Sequence, residues 1–262
     1  MRDLAMAVCA QAALVVSVLL YESSSRSSTA LCDKAPTHCL TAADKLFDNN
    51  QYKELERLLR ASLPRAPDDA ELLWRLTRAL KKLADAEPDK KAKEALMREA
   101  LSHAEGAIKL SPESGASNKW YAILLSGVGQ FSGTSATIKN SFIVREHFEK
   151  ACKFDPKDAT SRHLLGLWCF EVAKLSWIEQ KAAAALFATP PTASFEEAIA
   201  HFEKAESMEP GFYPKNLLLL AQSYAKLGKK AEAKAWLDKC LAATPKTPED
   251  DETLQEAKKV RL

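Results

Sequence analysis

The chain has 262 residues, of which 47% are hydrophobic and 27% are charged, a composition typical of a folded protein and unlike that of a disordered chain. The formal net charge is only +2, so the total charge indicates neither a nucleic-acid-binding protein nor a partner for an acidic polymer, although it leaves room for a local basic patch. Glycine is scarce, at 8 residues, and Ala, Leu, Lys and Glu dominate, which favours helices over sheets.

The first predicted element is a hydrophobic helix within residues 1–22. The stretch 4–21 is almost wholly apolar and would be about 27 Å long as a helix, slightly short of the ~30 Å hydrocarbon core of a bilayer. We interpret it as a membrane anchor. A signal or targeting peptide is the alternative, because the small residues of 27–30 are suited to cleavage. Residues 23–40 are predicted to be a polar linker.

The cysteines favour a reducing compartment without deciding the question. Cys152, Cys169 and Cys240 lie in helical, apolar-patterned segments, where a reduced buried thiol is the usual state. Cys32 and Cys39 lie close together in the linker and are interpreted as a pair of thiols. A disulfide between them would need an oxidising compartment, and a zinc site would need two further ligands that the neighbouring sequence does not supply.

Internal repeats organise residues 41–262. Five prolines follow helical, apolar-patterned stretches, at separations of 45, 44, 54 and 35 residues: Pro67, Pro112, Pro156, Pro210 and Pro245. The last separation is close to the 34-residue period of tetratricopeptide repeats, and the others exceed it by about 10 to 20 residues. Four or five helical hairpins stacked into a superhelix are therefore predicted, some of them carrying inserts.

The last repeat can be tested position by position. With Pro245 at repeat position 32, small residues fall where paired helices touch and bulky residues fall at the packing positions between them: Ala221, Ala233 and Cys240, then Leu217, Leu220, Tyr224 and Leu237. Gly228 lies between the two helices, where a left-handed turn is predicted. The pattern is that of a tetratricopeptide hairpin.

Helix starts agree with this frame. Residues suited to capping a helix N-terminus precede four predicted helices: Asp68 with Glu71 and Ser194 with Glu197 at capping-box spacing, Thr41 with Asp44 resembling such a pair, and Asp158 alone.

One repeat contains an insert. Gly166 and Ala198 lie 32 residues apart, about 20 more than the frame requires, and the extra segment includes LSWIEQKAAAALFATPP. Its large apolar groups, among them Trp177, Leu186 and Phe187, are too many for a free loop. An extra turn or two of helix packed into the array and ended by the two prolines is predicted. The alternative is a wall of an apolar groove that takes a peptide helix or a lipid tail.

Five stretches together resemble the regulator of microtubule dynamics family: HFEKACKFDPKDATSRHLLGLWCFEVAK (147–174), LFATPP (186–191), FYPKNLLLL (212–220), NKWYAILLSGVG (118–129) and DAELLWRLTRA (69–79). The resemblance covers roughly residues 40–255 and includes the irregular insert. It implies a non-enzymatic protein of the cytoplasm and cytoskeleton, associated with microtubules and spindle poles. Some relatives are placed on mitochondrial or endoplasmic reticulum membranes.

No motif for catalysis or for a cofactor is present. The histidines are not at metal-ligand spacing from one another, and the sequence has no glycine-rich phosphate loop, nucleophile elbow or HExxH pattern. We therefore predict neither catalytic nor metal-ligating residues, and no cofactor. Partner-binding candidates are instead polar or aromatic residues on the first helices of the repeats, which line the concave face of such arrays: Asn118, Lys119, Trp120, Arg162, His163, Lys215 and Asn216. Each is also compatible with a surface role, or for Trp120 a core role.

The leading functional hypothesis is a membrane-tethered interaction scaffold whose partners are microtubules or tubulin, and not nucleic acid. The alternative is a lipid-binding or membrane-contact-site protein that uses the helical array as a groove. A third hypothesis is a general adaptor for a peptide of another protein.

Overall fold

The computed structural model describes residues 37–132, 134–175, 180, 181, 184 and 191–262. The regular elements among these residues are α-helices and one 3₁₀ turn, Leu63–Arg65. The helices are α1 (Thr37–Asp48), α2 (Tyr52–Ser62), α3 (Ala70–Ala86), α4 (Lys90–Leu110), α5 (Gly115–Gly129), α6 (Thr134–Phe154), α7 (Ala159–Ala173), α8 (Phe195–Met208), α9 (Pro214–Lys226), α10 (Lys230–Leu241) and α11 (Pro248–Ala257). The predicted all-helical class is confirmed.

The predicted N-terminal helix of residues 1–22 lies outside the described residues, as do Cys32 and most of the insert. Among the helices described, none combines the length and the apolar content that crossing a bilayer requires. Helix α1 begins at Thr37 and so includes the last residues of the segment 23–40.

Successive helices pair into hairpins, α1 with α2, α3 with α4, α5 with α6, α7 with α8 and α9 with α10. The chain divides into two compact units, one containing α1 to α6 and the other α7 to α11. The described residues thus form five helical hairpins, within the four or five that the proline spacing predicts. Helix α11 packs against α9 and α10 at the end of the second unit.

Two predicted helix starts are wrong. Helix α3 is capped by Asp69 and not by Asp68: the Asp69 backbone is extended, and its carboxylate accepts the amide hydrogens of Glu71 at 2.8 Å and Leu72 at 3.4 Å. Thr41 lies inside α1 and cannot cap it, because a capping residue must precede the first helical turn.

Two other predicted helix starts are confirmed in the second unit. The Asp158 carboxylate accepts the amide hydrogens of Thr160 and Ser161 at the start of α7. Ser194 and Glu197 form a reciprocal capping box at the start of α8, with distances of 3.2 and 2.9 Å.

First and second helices of the hairpins bury different amounts of surface. Helix α7 contacts both α8 and α9, and 13 of its 15 residues are buried, so it has buried residues on every side. Helix α10 buries only Ala233, Leu237 and Cys240, a single face at helical spacing. The outer faces of second helices are therefore where exposed charge collects.

Two glycines lie where the repeat pattern predicts a left-handed turn or a small residue between paired helices. Gly228 has φ of +73° in the turn between α9 and α10, a conformation that residues with a side chain rarely adopt. Gly166 lies where α7 approaches α8 so closely that a Cβ atom there would be 2.8 Å from the Phe202 ring. The small residue at this repeat position sets the distance between the paired helices.

Helix α11 is an additional element beyond the predicted hairpins. It begins with a reciprocal capping box between Thr247 and Asp250, and Pro248 occupies its first position. Its Ala257 joins the buried cluster of α9 and α10, and the partly buried Leu254 and Val260 pack against that cluster. The residues TPED carry the start signal in the sequence, so this helix was predictable from its capping pattern.

Candidate protein-binding residues

Most of the predicted partner-binding residues are buried within their own unit. Helix α5 carries Asn118, Lys119 and Trp120, helix α7 carries Arg162 and His163, and helix α9 carries Lys215 and Asn216. All of them except Arg162 are less than 9% exposed, and Trp120, Asn118, His163 and Asn216 are fully buried. Arg162 is partly exposed. Their assignment to partner binding stays a prediction, because the structure holds no partner.

Asn118 connects three elements of the first unit. Its side-chain amide donates to the carbonyl oxygens of Pro112 at 2.9 Å and Ser114 at 2.8 Å, both in the loop between α4 and α5. Its Oδ1 atom lies 2.8 Å from Nδ1 of His147 on α6. Since the amide nitrogen already donates twice, Oδ1 accepts the bond and the proton resides on Nδ1 of His147. The Tyr121 ring packs edge-on against that imidazole.

Asn216 makes an analogous connection in the second unit. Its amide nitrogen donates to the Phe202 carbonyl at 3.0 Å, and its Oδ1 atom lies 2.8 Å from Nδ1 of His163. The rings of Phe202 and Tyr213 lie 5.4 and 5.0 Å from that imidazole, measured between ring centroids. Complete burial lowers the pKa of His163 to about 4, against the smaller opposing effect of the Asn216 hydrogen bond. His163 is therefore neutral at pH 7.

Lys215 belongs to the contact that holds α11 on α9. Its ammonium group donates to the Glu256 carboxylate, and the amide of Gln222 donates to the same carboxylate at 3.2 Å. The Tyr213 hydroxyl donates to Glu249 at the other end of α11. Burial is the main reason that the pKa of Tyr213 lies well above its ordinary value, and Glu249 adds to the effect. These side chains attach the terminal helix to the last hairpin.

A cationic and aromatic cluster in the first unit is also internal. The Arg75 guanidinium binds both carboxylate oxygens of Asp44 at 2.8 and 2.9 Å, and Arg78 binds Asp44 at 2.9 Å. The two guanidinium groups stack on Trp74 and Phe47 at 4.1 and 3.7 Å from the ring centroids. Asp44, which the sequence analysis interpreted as part of a cap, instead ties α1 to α3.

The described residues offer little for nucleophilic or metal chemistry. No group of three His, Cys, Asp or Glu side chains that could hold a metal ion occurs among them. The Sγ atom of Cys39 lies 3.2 Å from Oγ of Ser62, and Cys32, the other cysteine interpreted as a linker thiol, lies outside the described residues. Cys240 donates to the Pro214 carbonyl at 3.4 Å, and burial raises the pKa of its thiol to about 11. At pH 7 Cys240 is a packed thiol and not a thiolate.

The insert candidates Trp177, Leu186 and Phe187 lie outside the described residues, so the apolar groove that they would form stays a prediction. The exposed lysines at the end of α9 and along α10 were not among the predicted binding residues. The signal available for them was a run of like charge with few carboxylates.

A family model described as regulator of microtubule dynamics protein 1-3 matches residues 39–261. The chain belongs to this family. The match includes the insert and α11, and it confirms the resemblance carried by the five quoted stretches. It begins close to the start of α1, so the segment before residue 39 is not part of the family match.

Curated relatives agree with the family match. The chain is 43% identical to regulator of microtubule dynamics protein 1 of Bos taurus over 219 residues, which cover 83% of this chain and 68% of that protein. The corresponding protein of Mus musculus is 42% identical over 83% of this chain and 71% of its own length. Regulator of microtubule dynamics protein 3 of Xenopus laevis is 35% identical over 84% of this chain and 48% of its own length.

A solved structure supports the fold. A thermophilic tetratricopeptide protein from Thermus thermophilus matches with a TM-score of 0.59, covering 85% of this chain and 98% of that one. At 19% identity the similarity shows the fold alone. The family member described here therefore has the tetratricopeptide-like architecture that its proline and small-residue spacing predicts.

Proposed function

We propose that this chain is a non-enzymatic interaction scaffold that associates with microtubules. The observation that carries the proposal is the 43% identity, over 83% of the chain, to a relative named for the regulation of microtubule dynamics. The tetratricopeptide-like fold supports a scaffold role, because stacked helical hairpins present extended surfaces to other proteins. The proposed setting is the cytoplasm and cytoskeleton, including the spindle pole.

The chemistry of the described residues agrees with a scaffold. His147 and His163 are each bonded through Nδ1 to an asparagine, and burial lowers the pKa of both imidazoles. A proton-transfer group needs an accessible atom and a pKa near the working pH, and the fully buried His163, with a pKa of about 4, has neither. These side chains instead fix the packing of helices.

Co-sedimentation tests the microtubule part of the proposal. The full chain is mixed with polymerised tubulin and centrifuged, with the chain alone and the chain with unpolymerised tubulin as controls. We expect the protein in the pellet only when polymer is present. Pelleting no greater than in the two controls would refute microtubule association.

Membrane tethering through residues 1–22 is the second part of the proposal. It rests on the apolar stretch 4–21, whose length as a helix is close to the thickness of a hydrocarbon core. The test is fractionation of cells that express the full chain or a chain lacking residues 1–21. We expect the full chain with mitochondrial or endoplasmic reticulum membranes and the shortened chain in the soluble fraction. Equal distribution of the two would refute the anchor.

A further inference from the structure

Four exposed lysines lie within nine residues of the last hairpin. We call them the lysine strip: Lys226 at the end of α9, Lys229 in the turn, and Lys230 and Lys234, which are about one turn apart on α10. Residues 226–246 contain six lysines and two carboxylates, so the segment has a net charge of +4 within a chain whose total is +2. Positive charge is therefore concentrated on this hairpin.

The charges of the strip are largely uncompensated within the described residues. Lys226, Lys229 and Lys230 form no ion pair there, and Lys229 lies only over the face of Tyr224, 5.8 Å from the ring centroid. Lys234 pairs with Asp238 at 2.6 Å, but both side chains are more than half exposed and such pairs are weak. The strip therefore keeps most of its capacity to attract an anion.

The fold itself does not require these lysines. The face that α10 buries consists of Ala233, Leu237 and Cys240, whereas Lys229 and Lys230 lie at its N-terminus. Positive charge at a helix N-terminus opposes the helix dipole, and Lys229 provides no side-chain cap.

The surroundings of the strip limit the size of its partner. Helix α8 carries Glu196, Glu197, Glu203 and Glu206, and the first turn of α11 carries further carboxylates. Lys239 is close enough to Glu206 to lower the pKa of that carboxyl, although burial raises it overall. A nucleic-acid duplex or a flat anionic membrane would extend from the strip onto these acidic helices and be repelled. A partner confined to the strip would not.

The apolar side chains nearby also favour a peptide over a membrane. Trp236 is half-buried in the last hairpin, and the Lys239 ammonium covers its ring at 4.0 Å from the centroid. Leu241, 40% exposed, is the large apolar side chain of α10 that reaches solvent. An interfacial helix would need a broad apolar face opposite its lysines, and the corresponding face of α10 is buried in the hairpin.

From these observations we infer that the lysine strip is the docking surface for a short glutamate-rich peptide segment of a partner protein. Lys230 and Lys234 are about 6 Å apart along the axis of α10, which is the rise of two residues of an extended peptide. The inference rests on the proposed scaffold function and assigns its surface and the chemistry of its partner. Carboxylates spaced along such a peptide bind the ammonium groups in turn.

Fluorescence anisotropy with a labelled hexaglutamate peptide tests the inference on the full chain. The test variant is Lys229→Glu with Lys230→Glu, and the matched control is Lys90→Glu with Lys91→Glu. Both pairs are exposed, lie at the N-terminus of a second helix and change the net charge equally. Glutamate is favourable at a helix N-terminus, so both variants fold. We expect binding roughly tenfold weaker in the test variant and little changed in the control.

Three outcomes would overturn the inference. One is the absence of hexaglutamate binding at low salt, and another is an equal loss of binding in the two variants. The third is that the chain does not bind hexaglutamate but binds vesicles containing phosphatidylserine, and that this vesicle binding is lost in the Lys229→Glu, Lys230→Glu variant. That result would assign the strip to a membrane surface.

The microtubule pelleting assay separates this inference from the proposed function. If the wild-type chain and the test variant pellet equally well, microtubule association stands and the strip is not its binding surface. If the wild-type chain binds hexaglutamate through the strip and does not pellet, the docking surface stands and the microtubule proposal fails.

Discussion

His163 on α7 and Asn216 on α9 are joined by a hydrogen bond of 2.8 Å between Nδ1 and Oδ1, and both side chains are fully buried. The bond links the first helices of two successive hairpins, while the Asn216 amide nitrogen donates to the Phe202 carbonyl. The Asn216 side chain is therefore hydrogen-bonded to two buried groups. A neutral imidazole and a doubly engaged amide form a polar connection inside an apolar packing layer.

Replacement of Asn216 by alanine removes both hydrogen bonds and leaves the buried Nδ1 hydrogen of His163 without its acceptor, whereas the Phe202 carbonyl keeps its bond within α8. We expect Asn216→Ala to lower the free energy of unfolding by about 1–3 kcal/mol, the cost of one unpaired buried group. Urea denaturation followed by circular dichroism measures the change. Asn49→Ala, at an exposed position after α1, is the control. A loss for Asn216→Ala no larger than for the control would contradict this role.

Stability should fall as the pH is lowered through the range in which unfolded histidine takes up a proton. The folded pKa of His163 is about 4, below the ordinary value of 6.5, so the unfolded chain binds more protons between these values. The stabilisation is complete above pH 6.5 and decreases as the pH falls towards 4. We expect a loss of about 2 kcal/mol between pH 7 and pH 5 from this residue.

Urea titrations at the two pH values measure this loss. The variant His163→Gln keeps a hydrogen-bonding side chain without a titrating group. It should show a smaller pH dependence than the wild-type chain by that amount. The half-buried His103 and His147, whose pKa values are also lowered, contribute in the same direction. A pH dependence unchanged in His163→Gln would exclude the proposed linkage.

Much of the fold was predictable because helical repeats are encoded locally. Proline spacing located the hairpin ends, and the alternation of small and bulky residues located the packing face of the last repeat, where Ala221, Ala233 and Cys240 are all fully buried. The capping box at Ser194 was predictable for the same reason, since both partners lie within one turn. Asp68 was preferred wrongly over Asp69, because adjacent aspartates differ only in backbone conformation.

The roles of individual polar residues were less predictable. His163 and Asn216 are 53 positions apart, and nothing local indicates that they meet. Asp44 presented the same difficulty, because its spacing from Thr41 suggested a cap while its actual partners, Arg75 and Arg78, lie on another helix. The first helix of a hairpin packs against other helices on several sides. It therefore buries residues that were predicted to be exposed on a concave binding face. Long-range polar pairing is a property of the packed hairpins and not of any one segment.

Because the helices pack closely at Gly166, adding a methyl group there should destabilise the protein more than adding one at Gly129. A Cβ atom at this position would lie 2.8 Å from the Phe202 ring, whereas one at Gly129 would lie 3.5 Å from Thr137. We expect Gly166→Ala to destabilise the chain by about 1–3 kcal/mol through overpacking. Gly129→Ala should be neutral or slightly stabilising, because alanine favours the helix. Thermal unfolding of both variants measures the contrast, and equal effects would refute the close approach of α7 to α8.

The ion pairs of Asp44 and Asp238 predict a second contrast, between a largely buried network and an exposed pair. Asp44 neutralises two guanidinium groups whose side chains are only 10% and 5% exposed, whereas Asp238 and Lys234 are 57% and 70% exposed. Asp44→Asn removes the charge that the two guanidinium groups share, although Arg75 still pairs with Glu71 at 2.6 Å and Asp44 is itself 41% exposed, and we expect a loss of about 1–2 kcal/mol. Asp238→Asn should cost less than about 0.5 kcal/mol, since solvent screens the exposed pair. Urea denaturation at low and at high salt measures both, with the Asp238 effect reduced further by salt. Costs of similar size for the two variants would show that Asp44 does not hold α1 against α3.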